Sequence, residues 1–378
     1  MKMLEFEILK KDGLSRVGVI KTPHGEIKTP AFVGAATRAT VKALTMTEMR
    51  ELGSQAILAN TYHLFLAPGA DLIEKAGGLA RFSSWNRPTF TDSGGFQIFS
   101  LPEVKISEEG ARFKSHINGD KFLMTPEISM QTQWKIGADI HMAFDRLAKS
   151  ESKDEMEKAM ERTHRWLLRC VEENNKLKTE AKENGETEQY LYAVVQGGTF
   201  LDLRKESAEF CAKQEVDGFG IGGVFVADGM KEMLETVSPV LPEKKPRHLL
   251  GMGQEPRDLF IGAEFGCDTF DCVGPTRMAR NGSLYTFDGR INIKNARFRE
   301  DFSPVLEGCE CECCKKHSRA YLHHLFKTDE ITGKVLASIH NEHFVVSVVD
   351  RIRETMISGE FQAYRKEFLD RFYRDSQN

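Results

Sequence analysis

The sequence lacks any apolar run that approaches the ~20 residues of a membrane-spanning helix, and residues 1–13 are charged rather than signal-like. We therefore expect a cytoplasmic protein with no membrane partner. The sequence also lacks an excess of positive charge, because its formal net charge is −4. Nothing global indicates a nucleic-acid partner, so any such partner has to be bound by a local basic patch.

The sequence also lacks internal repeats and low-complexity tracts. Its cysteines are not evenly distributed along the sequence. Four of the eight cysteines fall within residues 309–314, and without a signal peptide this density indicates a metal site rather than disulfide bonds. What is present is the composition of an ordinary globular protein, with 40% hydrophobic and 29% charged residues among 378. That length suits two or three domains, or one α/β barrel with additions.

Strand and helix patterns predict the fold. Residues 6–30 alternate apolar and polar side chains around Pro23-His24-Gly25, which predicts an N-terminal β-hairpin. Fully apolar runs, typical of parallel strands, then recur between stretches of helical period. These runs are residues 56–60, 89–92, 139–145, 190–196, 218–223, 248–253 and 269–273. With an eighth strand that cannot be placed, the pattern favours an α/β (β/α)8 TIM barrel over an open doubly wound sheet.

One helix has a clear start. Ser152 and Glu155 form a capping box before an amphipathic stretch, so we predict a helix over residues 152–171. A polar linker is predicted at residues 176–187.

The residues that end the predicted strands point to a function. They are Asn60, Asp92, Asp145, Gln196, Gly222-Gly223, Gly251 and Asp271. In a barrel these positions surround one mouth, which is where barrel enzymes carry their sites. Any one of them could be a helix N-cap, but capping does not explain the set.

Asp145 and Gln196 suit a planar heterocycle that bears an amide. An ionised Asp145 accepts two parallel N–H bonds, and the Gln196 amide, with a free N–H at Gly222-Gly223, donates to a carbonyl. That arrangement complements the Watson–Crick edge of guanine. Asp92 and Asp271 then remain for displacement at an anomeric carbon, which requires one nucleophile and one acid/base.

The motif Cys309-x-Cys311-x-x-Cys314 indicates zinc. Three thiolates at this spacing need one more ligand for a tetrahedral site. The candidates for that ligand are Cys313, His317, His323, His324, His340 and His343. No open position is evident, so we expect one structural Zn2+ rather than a catalytic ion or a plain loop of reduced cysteines.

A local basic patch follows Asp271. Its members are Arg277, Arg280, Arg290, Lys294, Arg297 and Arg299, with Lys315 and Lys316 in the cysteine cluster. Such charges are usually a solvated face, but beside a base-binding mouth they indicate phosphate contacts.

With these residues assembled, the sequence resembles the queuine/archaeosine tRNA-ribosyltransferase family, in its bacterial tRNA-guanine transglycosylase form, from about residue 4 onwards. The matching motifs are residues 59–64 (Ala-Asn-Thr-Tyr-His-Leu), 91–97 (Thr-Asp-Ser-Gly-Gly-Phe-Gln), 195–198 (Val-Gln-Gly-Gly), 270–273 (Phe-Asp-Cys-Val), 275–277 (Pro-Thr-Arg) and the cysteine motif. The resemblance implies a zinc-bearing (β/α)8 barrel, usually a homodimer. Its members exchange guanine for a 7-deazaguanine at wobble position 34 of GUN-anticodon tRNAs, those for aspartate, asparagine, histidine and tyrosine.

The resemblance also implies a role for each matching residue. Asp271 would be the nucleophile at ribose C1′, and Asp92 the general acid/base. The base would be bound by Ser93, Gly94, Gly95, Phe96, Asp145, Gln196, Gly222 and Gly223. The anticodon would contact Gly253, Gln254, Glu255, Pro256, Arg257, Asp258, Thr276, Arg277, Met278, Ala279 and Arg280. Zinc would be bound by Cys309, Cys311, Cys314 and, from the family's Ile-His-Asn context, His340.

The sequence departs from the family pattern around the base pocket. Leu147 replaces a cysteine, Leu250 a methionine and Gly274 a leucine, while residues 222–228 are Gly-Gly-Val-Phe-Val-Ala-Asp instead of Gly-Gly-Leu-Ala-Val-Gly-Glu. The bulk of Val226 would crowd a cyclopentenediol substituent, which favours preQ1 over queuine as the incoming base.

Two other functions stay open. A catalytically silent tRNA-binding subunit is disfavoured because Asp92 and Asp271 are both retained. A metal-dependent barrel hydrolase would need ligands, typically histidines, at several strand ends, and the strand ends above contain no histidine. We predict a single barrel domain over residues 1–378, with a zinc-binding subdomain at 290–345 and a closing C-terminal helix at 346–378.

Overall fold

The computed structural model describes residues 4–148, 152–223 and 229–374. The strands, in chain order, are β1 (Glu5–Asp12), β2 (Ser15–Thr22), β3 (Gly25–Thr29), β4 (Ala31–Ala35), β5 (Ala56–Ala59), β6 (Thr89–Thr91), β7 (Lys105–Ile106), β8 (Ala111–Lys114), β9 (Lys121–Met124), β10 (Ile140–Met142), β11 (Tyr190–Val195), β12 (Gly218–Ile221), β13 (Arg247–Leu249), β14 (Thr269–Cys272), β15 (Ser283–Thr286) and β16 (Gly289–Asn292).

The helices, in chain order, are α1 (Met46–Glu51), α2 (Thr61–Leu66), α3 (Ala70–Lys75), α4 (Leu79–Phe82), α5 (Gly95–Phe99), α6 (Pro126–Ile136), α7 (Lys153–Asn184), α8 (Leu201–Ala212), α9 (Met230–Val237), α10 (Pro256–Glu264), α11 (Gly274–Arg280), α12 (Glu312–Lys316), α13 (Arg319–Lys327), α14 (Ile331–Ser358) and α15 (Phe361–Phe372). A short 3-10 helix spans Ala296–Phe298.

Eight strands close into a parallel barrel. In chain order β4, β5, β6, β10, β11, β12, β13 and β14 each pair with the next, and β14 pairs with β4. Strand β4, which sequence patterns did not place, is therefore the eighth strand. The barrel strands are buried on both faces, because helices cover the outside and side chains fill the interior. The predicted (β/α)8 barrel is confirmed.

The N-terminal segment is larger than the predicted hairpin. A second reversal at Gly13, where φ is +59°, adds β1 to β2 and β3 and gives a three-stranded antiparallel sheet. Ile20 and Ile27 of this sheet, together with Leu4, pack in one cluster with barrel-interior residues such as Phe90. The sheet therefore covers the end of the barrel at which the strands begin.

Buried aspartates tie this sheet to the barrel. Asp268, just before β14, accepts hydrogen bonds from the Arg16 guanidinium at 2.5 and 2.9 Å. Asp139, just before β10, lies 2.8 Å from Nδ1 of His24 in the β2–β3 turn. Both carboxylates lie at the end where strands begin, so they contribute to stability rather than to a site at the other end.

Helix α7 is longer than predicted. It begins after Ser152, whose hydroxyl accepts a backbone N–H of the first turn as expected. It then continues through most of residues 176–187, where a linker was predicted, and ends at Gly185 with φ +69°. The polar extension is anchored by Lys178, which pairs with buried Asp217 at 3.1 Å. A tertiary contact therefore maintains a helix that composition did not indicate.

The C-terminal region differs from the single closing helix predicted for residues 346–378. Helix α14 runs through the expected boundary at residue 346 and ends at Gly359 with φ +87°. A separate helix, α15, follows it. The proposed subdomain at residues 290–345 stays a prediction. Within the described ranges, no helix has the length and apolarity that crossing a membrane requires.

Candidate active site and metal centre

A cavity of about 520 Å³ lies where the barrel strands finish. Its lining joins residues from loops that are far apart in the sequence. It includes all the expected catalytic and base-binding residues, namely Asp92, Ser93, Gly94, Gly95, Phe96, Asp145, Gln196, Gly222, Gly223 and Asp271. Their individual roles stay predictions, but they share one site.

Asp92 follows β6 directly and is held at both oxygens. Oδ1 accepts the N–H of Thr61 at 3.1 Å and that of Gly94 at 3.0 Å, and Oδ2 accepts the Asn60 amide at 2.6 Å. Asn60 also caps α2, because its Oδ1 accepts the N–H of His63 at 2.9 Å. The capping bond fixes which end of the Asn60 amide faces Asp92, so the carboxyl group is oriented without a ligand.

The pKa of Asp92 is unusual for a carboxyl group. Desolvation raises this pKa from 3.8 to about 7, against the lowering effect of hydrogen bonds from Thr61, Asn60 and Gly94. The negative charge of Asp271 adds to the rise. A group with a pKa near 7 gives and takes a proton readily at neutral pH, as general acid/base catalysis requires.

The turn after Asp92 depends on its two glycines. Gly94 has φ +74°, a left-handed conformation that favours glycine. A Cβ at Gly95 would lie 2.8 Å from the Asp145 carbonyl oxygen. This close approach brings the start of α5 against the Asp145 loop and places Phe96, which is 63% exposed, on the cavity lining.

Asp145 and Gln196 form one wall of the cavity. Asp145 Oδ1 accepts the Ser93 hydroxyl at 2.7 Å, and Oδ2 accepts the Gln196 amide nitrogen at 2.5 Å. Burial raises the pKa of Asp145, while these two hydrogen bonds act in the opposite direction. The groups expected to bind a base edge are therefore already aligned with each other, and within the described residues the second N–H of the Gln196 amide has no hydrogen-bond partner.

Two side chains of α8 support this wall. The Ser207 hydroxyl accepts the Gln196 N–H at 3.0 Å. Buried Arg204 donates to the carbonyl oxygens of Val195 at 3.1 Å and Gly222 at 2.6 Å, and so joins the ends of β11 and β12. Sequence reasoning missed both residues, because they lie in helix α8 outside the motif of residues 195–198, and no local pattern distinguishes them from ordinary helix positions.

Asp271 lies in β14 and is held at one oxygen. Its Oδ1 accepts the N–H of Gly251 at 2.9 Å and lies 3.1 Å from Nε2 of His248. Sequence reasoning treated His248 only as the start of an apolar strand. A histidine within an otherwise apolar run is the signal that could have identified it.

Some of the positions that depart from the family pattern lie in this site. Leu147 and Leu250 line the cavity. Gly274 begins α11, where a Cβ would lie 2.7 Å from the Gln254 side chain. Val226, on which the preference for preQ1 rests, lies outside the described residues.

The residues expected to contact the anticodon differ in accessibility. The exposed ones are Gln254, Arg257 and Arg277, the half-buried ones Glu255, Met278 and Arg280, and the buried ones Gly253, Pro256, Asp258, Thr276 and Ala279. Side-chain contacts with RNA are therefore restricted to the first two groups. Arg277 also lines the cavity, and no ion pair of its guanidinium is present within the described ranges.

Part of the predicted basic patch is neutralised. Ion pairs join Arg290 to Glu255, Lys315 to Glu310 and Lys316 to Glu312. The patch therefore offers less uncompensated positive charge than its basic residues alone suggest. Arg277 supplies a larger share of the positive charge that remains.

Cys309, Cys311, Cys314 and His340 form a cluster that could hold a metal ion. Their ligand atoms all lie within 4.8 Å of one another. Tetrahedral zinc with ~2.3 Å Zn–S bonds separates its ligands by about 3.8 Å, so the spacing fits a single ion. His340 Nδ1 lies 3.3 Å from Cys314 Sγ, while its Nε2–H donates to the Tyr285 carbonyl at 2.8 Å. That second bond sets the tautomer in which Nδ1 is free to bind a metal.

The cluster distinguishes among the candidate fourth ligands. His323 Nδ1 hydrogen-bonds the Ile293 carbonyl oxygen at 2.8 Å, and His317 stacks on Tyr321. His343 comes within 3.6 Å of Cys309 Sγ but is not part of the four-residue cluster. The expected placement of His340 with the three cysteines is confirmed.

Fold and site together define a (β/α)8 barrel with paired carboxylates at its mouth and a separate Cys3His cluster. The family model for queuine tRNA-ribosyltransferase matches residues 12–374. Similar proteins named queuine tRNA-ribosyltransferase occur in Herpetosiphon aurantiacus (47% identical over 98% of this chain and 93% of the relative), Symbiobacterium thermophilum (45%, 98% and 92%) and Bacillus subtilis (41%, 99% and 98%). This chain belongs to the queuine tRNA-ribosyltransferase family.

Proposed function

We propose that this protein is a tRNA-guanine transglycosylase, an enzyme of the pentosyltransferase type. It exchanges guanine at wobble position 34 of GUN-anticodon tRNAs for a 7-deazaguanine, with preQ1 as the favoured incoming base. Family membership supports the reaction class. The observation that carries the proposal is the convergence of Asp92 and Asp271 on one cavity beside the Asp145–Gln196 wall.

The wall binds the Watson–Crick edge of the base. Asp145 accepts N1–H and the exocyclic amine, while the remaining N–H of the Gln196 amide donates to O6. Phe96 covers a face of the base at the mouth of the cavity. Because the target guanine is stacked within the anticodon loop, it has to be turned out of its stack to enter the cavity and reach the Asp145–Gln196 wall.

In the first displacement, an oxygen of Asp271 attacks ribose C1′. The new bond joins this oxygen to C1′, and the bond from C1′ to guanine N9 breaks with its electron pair remaining on the base. Asp92 in its protonated form donates a proton to the departing guanine. A pKa of about 7 keeps much of Asp92 protonated at neutral pH, as this step requires.

In the second displacement, the incoming 7-deazaguanine loses its N9 proton to the Asp92 carboxylate. N9 then attacks C1′, and the Asp271 oxygen leaves as a carboxylate. Asp271 is again a free carboxylate and Asp92 has regained its proton, so the enzyme returns to its starting state and no oxidant, reductant or nucleotide cofactor is consumed.

The preference for preQ1 rests on the expected bulk of the cavity wall. Leu147 and Leu250 supply part of that wall. The preference also rests on the sequence, which keeps a bulky valine at position 226, and a small aminomethyl group at C7 needs less space than a cyclopentenediol.

Zn2+ is the metal we assign to the Cys3His cluster, where thiolates and one imidazole suit a structural ion. It would join α12 and the segment before it to α14 and take no part in the chemistry. Arg277 and its exposed neighbours would bind anticodon phosphates. We propose a cytoplasmic homodimer, in line with the family resemblance.

Exchange of radiolabelled guanine into unmodified GUN-anticodon tRNA tests the function. Wild-type protein should incorporate label, and chase with preQ1, preQ0 or queuine should identify the incoming base. Asp271→Ala should abolish incorporation, while Asp288→Asn, at an exposed carboxylate paired with Arg371, should not affect it. Folded, zinc-loaded wild-type protein that binds tRNA without exchange would indicate a non-catalytic subunit. Activity that requires a second tightly bound ion would instead indicate a metal-dependent hydrolase.

A further inference from the structure

The two oxygens of Asp271 have different surroundings. Oδ1 accepts the Gly251 N–H at 2.9 Å and lies 3.1 Å from His248 Nε2. Among the described residues, Oδ2 has no hydrogen-bond partner, and Asp271 lines the cavity. One oxygen is thus held by the protein while the other is left for a ligand.

His248 is itself held in place on two sides. It is fully buried and stacks on Phe90 at a ring-centroid distance of 5.4 Å. Its Nδ1 lies 2.8 Å from Thr269 Oγ1. This contact follows from the strand register, because His248 and Thr269 are paired across β13 and β14. The same register places Asp271 two residues further along β14, on the same face of the strand.

The donor and acceptor capacities of these three side chains set the direction of the hydrogen bonds between them. An ionised Asp271 only accepts, so Nε2 of His248 has to carry the proton that lies between them. In the neutral ring Nδ1 then accepts, and the Thr269 hydroxyl is the donor available to it. Thr269 therefore donates to His248, and His248 donates to Asp271.

We propose that His248 is a positioning residue for the nucleophile. Together with the Gly251 N–H it holds Oδ1, so that Oδ2 is the oxygen that attacks ribose C1′. After attack Oδ1 becomes the carbonyl oxygen of the ester and still accepts both donors. When the second base displaces the ester, the same donors stabilise the carboxylate that leaves. This inference rests on the proposed transglycosylase function.

Three substitutions separate this role from packing. His248→Phe keeps a flat ring against Phe90 but removes the donor. His248→Gln offers an amide N–H that can reach Oδ1. Thr269→Val removes the hydroxyl that selects the tautomer while keeping the branched shape. His141→Phe, at another buried barrel histidine outside the cavity, controls for the general cost of such a replacement.

The assay is steady-state guanine exchange on zinc-loaded protein, with capture of the covalent tRNA–enzyme adduct on a denaturing gel. We expect His248→Phe to lower kcat at least about tenfold, as for loss of a hydrogen bond to a charged group. KM for tRNA should change less than about twofold, because His248 touches no substrate. His248→Gln should recover most of the lost kcat, and Thr269→Val should show an intermediate loss.

The outcomes distinguish this inference from the proposed function. If wild-type protein forms neither adduct nor exchanged tRNA, the proposed function fails, and the inference fails with it. If wild-type protein exchanges guanine and His248→Phe keeps its kcat, the inference alone is overturned. Equal loss in His248→Phe and His248→Gln, matched by an equal fall in melting temperature, would also overturn it, since packing would then explain the effect.

Discussion

Replacing Asp92 with asparagine should remove a specific pH dependence of folding stability. The pKa of Asp92 is about 7 in the folded protein, whereas an aspartate in the unfolded chain has its ordinary pKa of 3.8. Between these two pH values the folded protein therefore keeps a proton that the unfolded chain releases. Stabilisation by that proton is fully present below the unfolded pKa. It declines as pH rises towards the folded pKa and is lost above about pH 7.

The magnitude follows from the size of the pKa difference. A rise from 3.8 to about 7 corresponds to about 4 kcal/mol at ~1.36 kcal/mol per unit. Between about pH 5 and about pH 8.5 the linkage relation leaves a change of about 3 kcal/mol. This is an upper value, because Asp92 is only partly buried and solvent screens the charge of a partly buried group. The asparagine amide would face the Asn60 amide, so the variant should start out less stable at low pH.

The assay is urea unfolding of both proteins across this pH range. The gap in unfolding free energy should move in favour of Asp92→Asn by about 2 to 3 kcal/mol from about pH 5 to about pH 8.5. Asp288→Asn is the control, since the Arg371 partner lowers the pKa of Asp288 and keeps its titration below this range. A gap between wild type and Asp92→Asn that stayed constant with pH would refute the raised pKa and the acid/base role built on it.

Three further predictions concern stability, metal and RNA. Arg16→Leu should lower the unfolding free energy by about 3 to 5 kcal/mol, because it removes the ion-pair partner of buried Asp268, and chemical denaturation measures the change. His340→Ala should release the bound metal, as measured by zinc content after dialysis, whereas His343→Ala should retain it. Arg277→Ala should weaken tRNA binding and reduce the slope of log affinity against log salt by about 1, as measured by filter binding.

Controls define what would contradict these expectations. Lys366→Ala removes an exposed ion pair with Asp370 and should leave the unfolding free energy nearly unchanged. If it costs as much as Arg16→Leu, burial is not what makes the Arg16 pair matter. Unchanged zinc in His340→Ala would assign the fourth ligand elsewhere. An unchanged salt slope in Arg277→Ala would make the arginine a solvated side chain.

Local sequence was sufficient for the elements whose signal lies within a few residues. Apolar runs predicted seven of the eight barrel strands, because parallel strands are buried on both faces and show it in composition. The Ser152 cap predicted where α7 begins, since capping depends on neighbouring backbone N–H groups. The Cys309 to Cys314 spacing likewise indicated a metal site before any fold was known.

Tertiary structure decided what depends on distant partners. Composition suggested a linker where α7 continues. The helix is stabilised there by the salt bridge from Lys178 to Asp217, and local composition does not show this contact because the two residues are far apart in the sequence. The hydrogen bond from His248 to Asp271 arises from barrel closure and strand register, which fix which side chains meet across β13 and β14. The raised pKa of Asp92 has the same origin, since desolvation is a property of the assembled cavity. Sequence names the chemical groups, but only the closed barrel sets the distances and solvation that decide what those groups do.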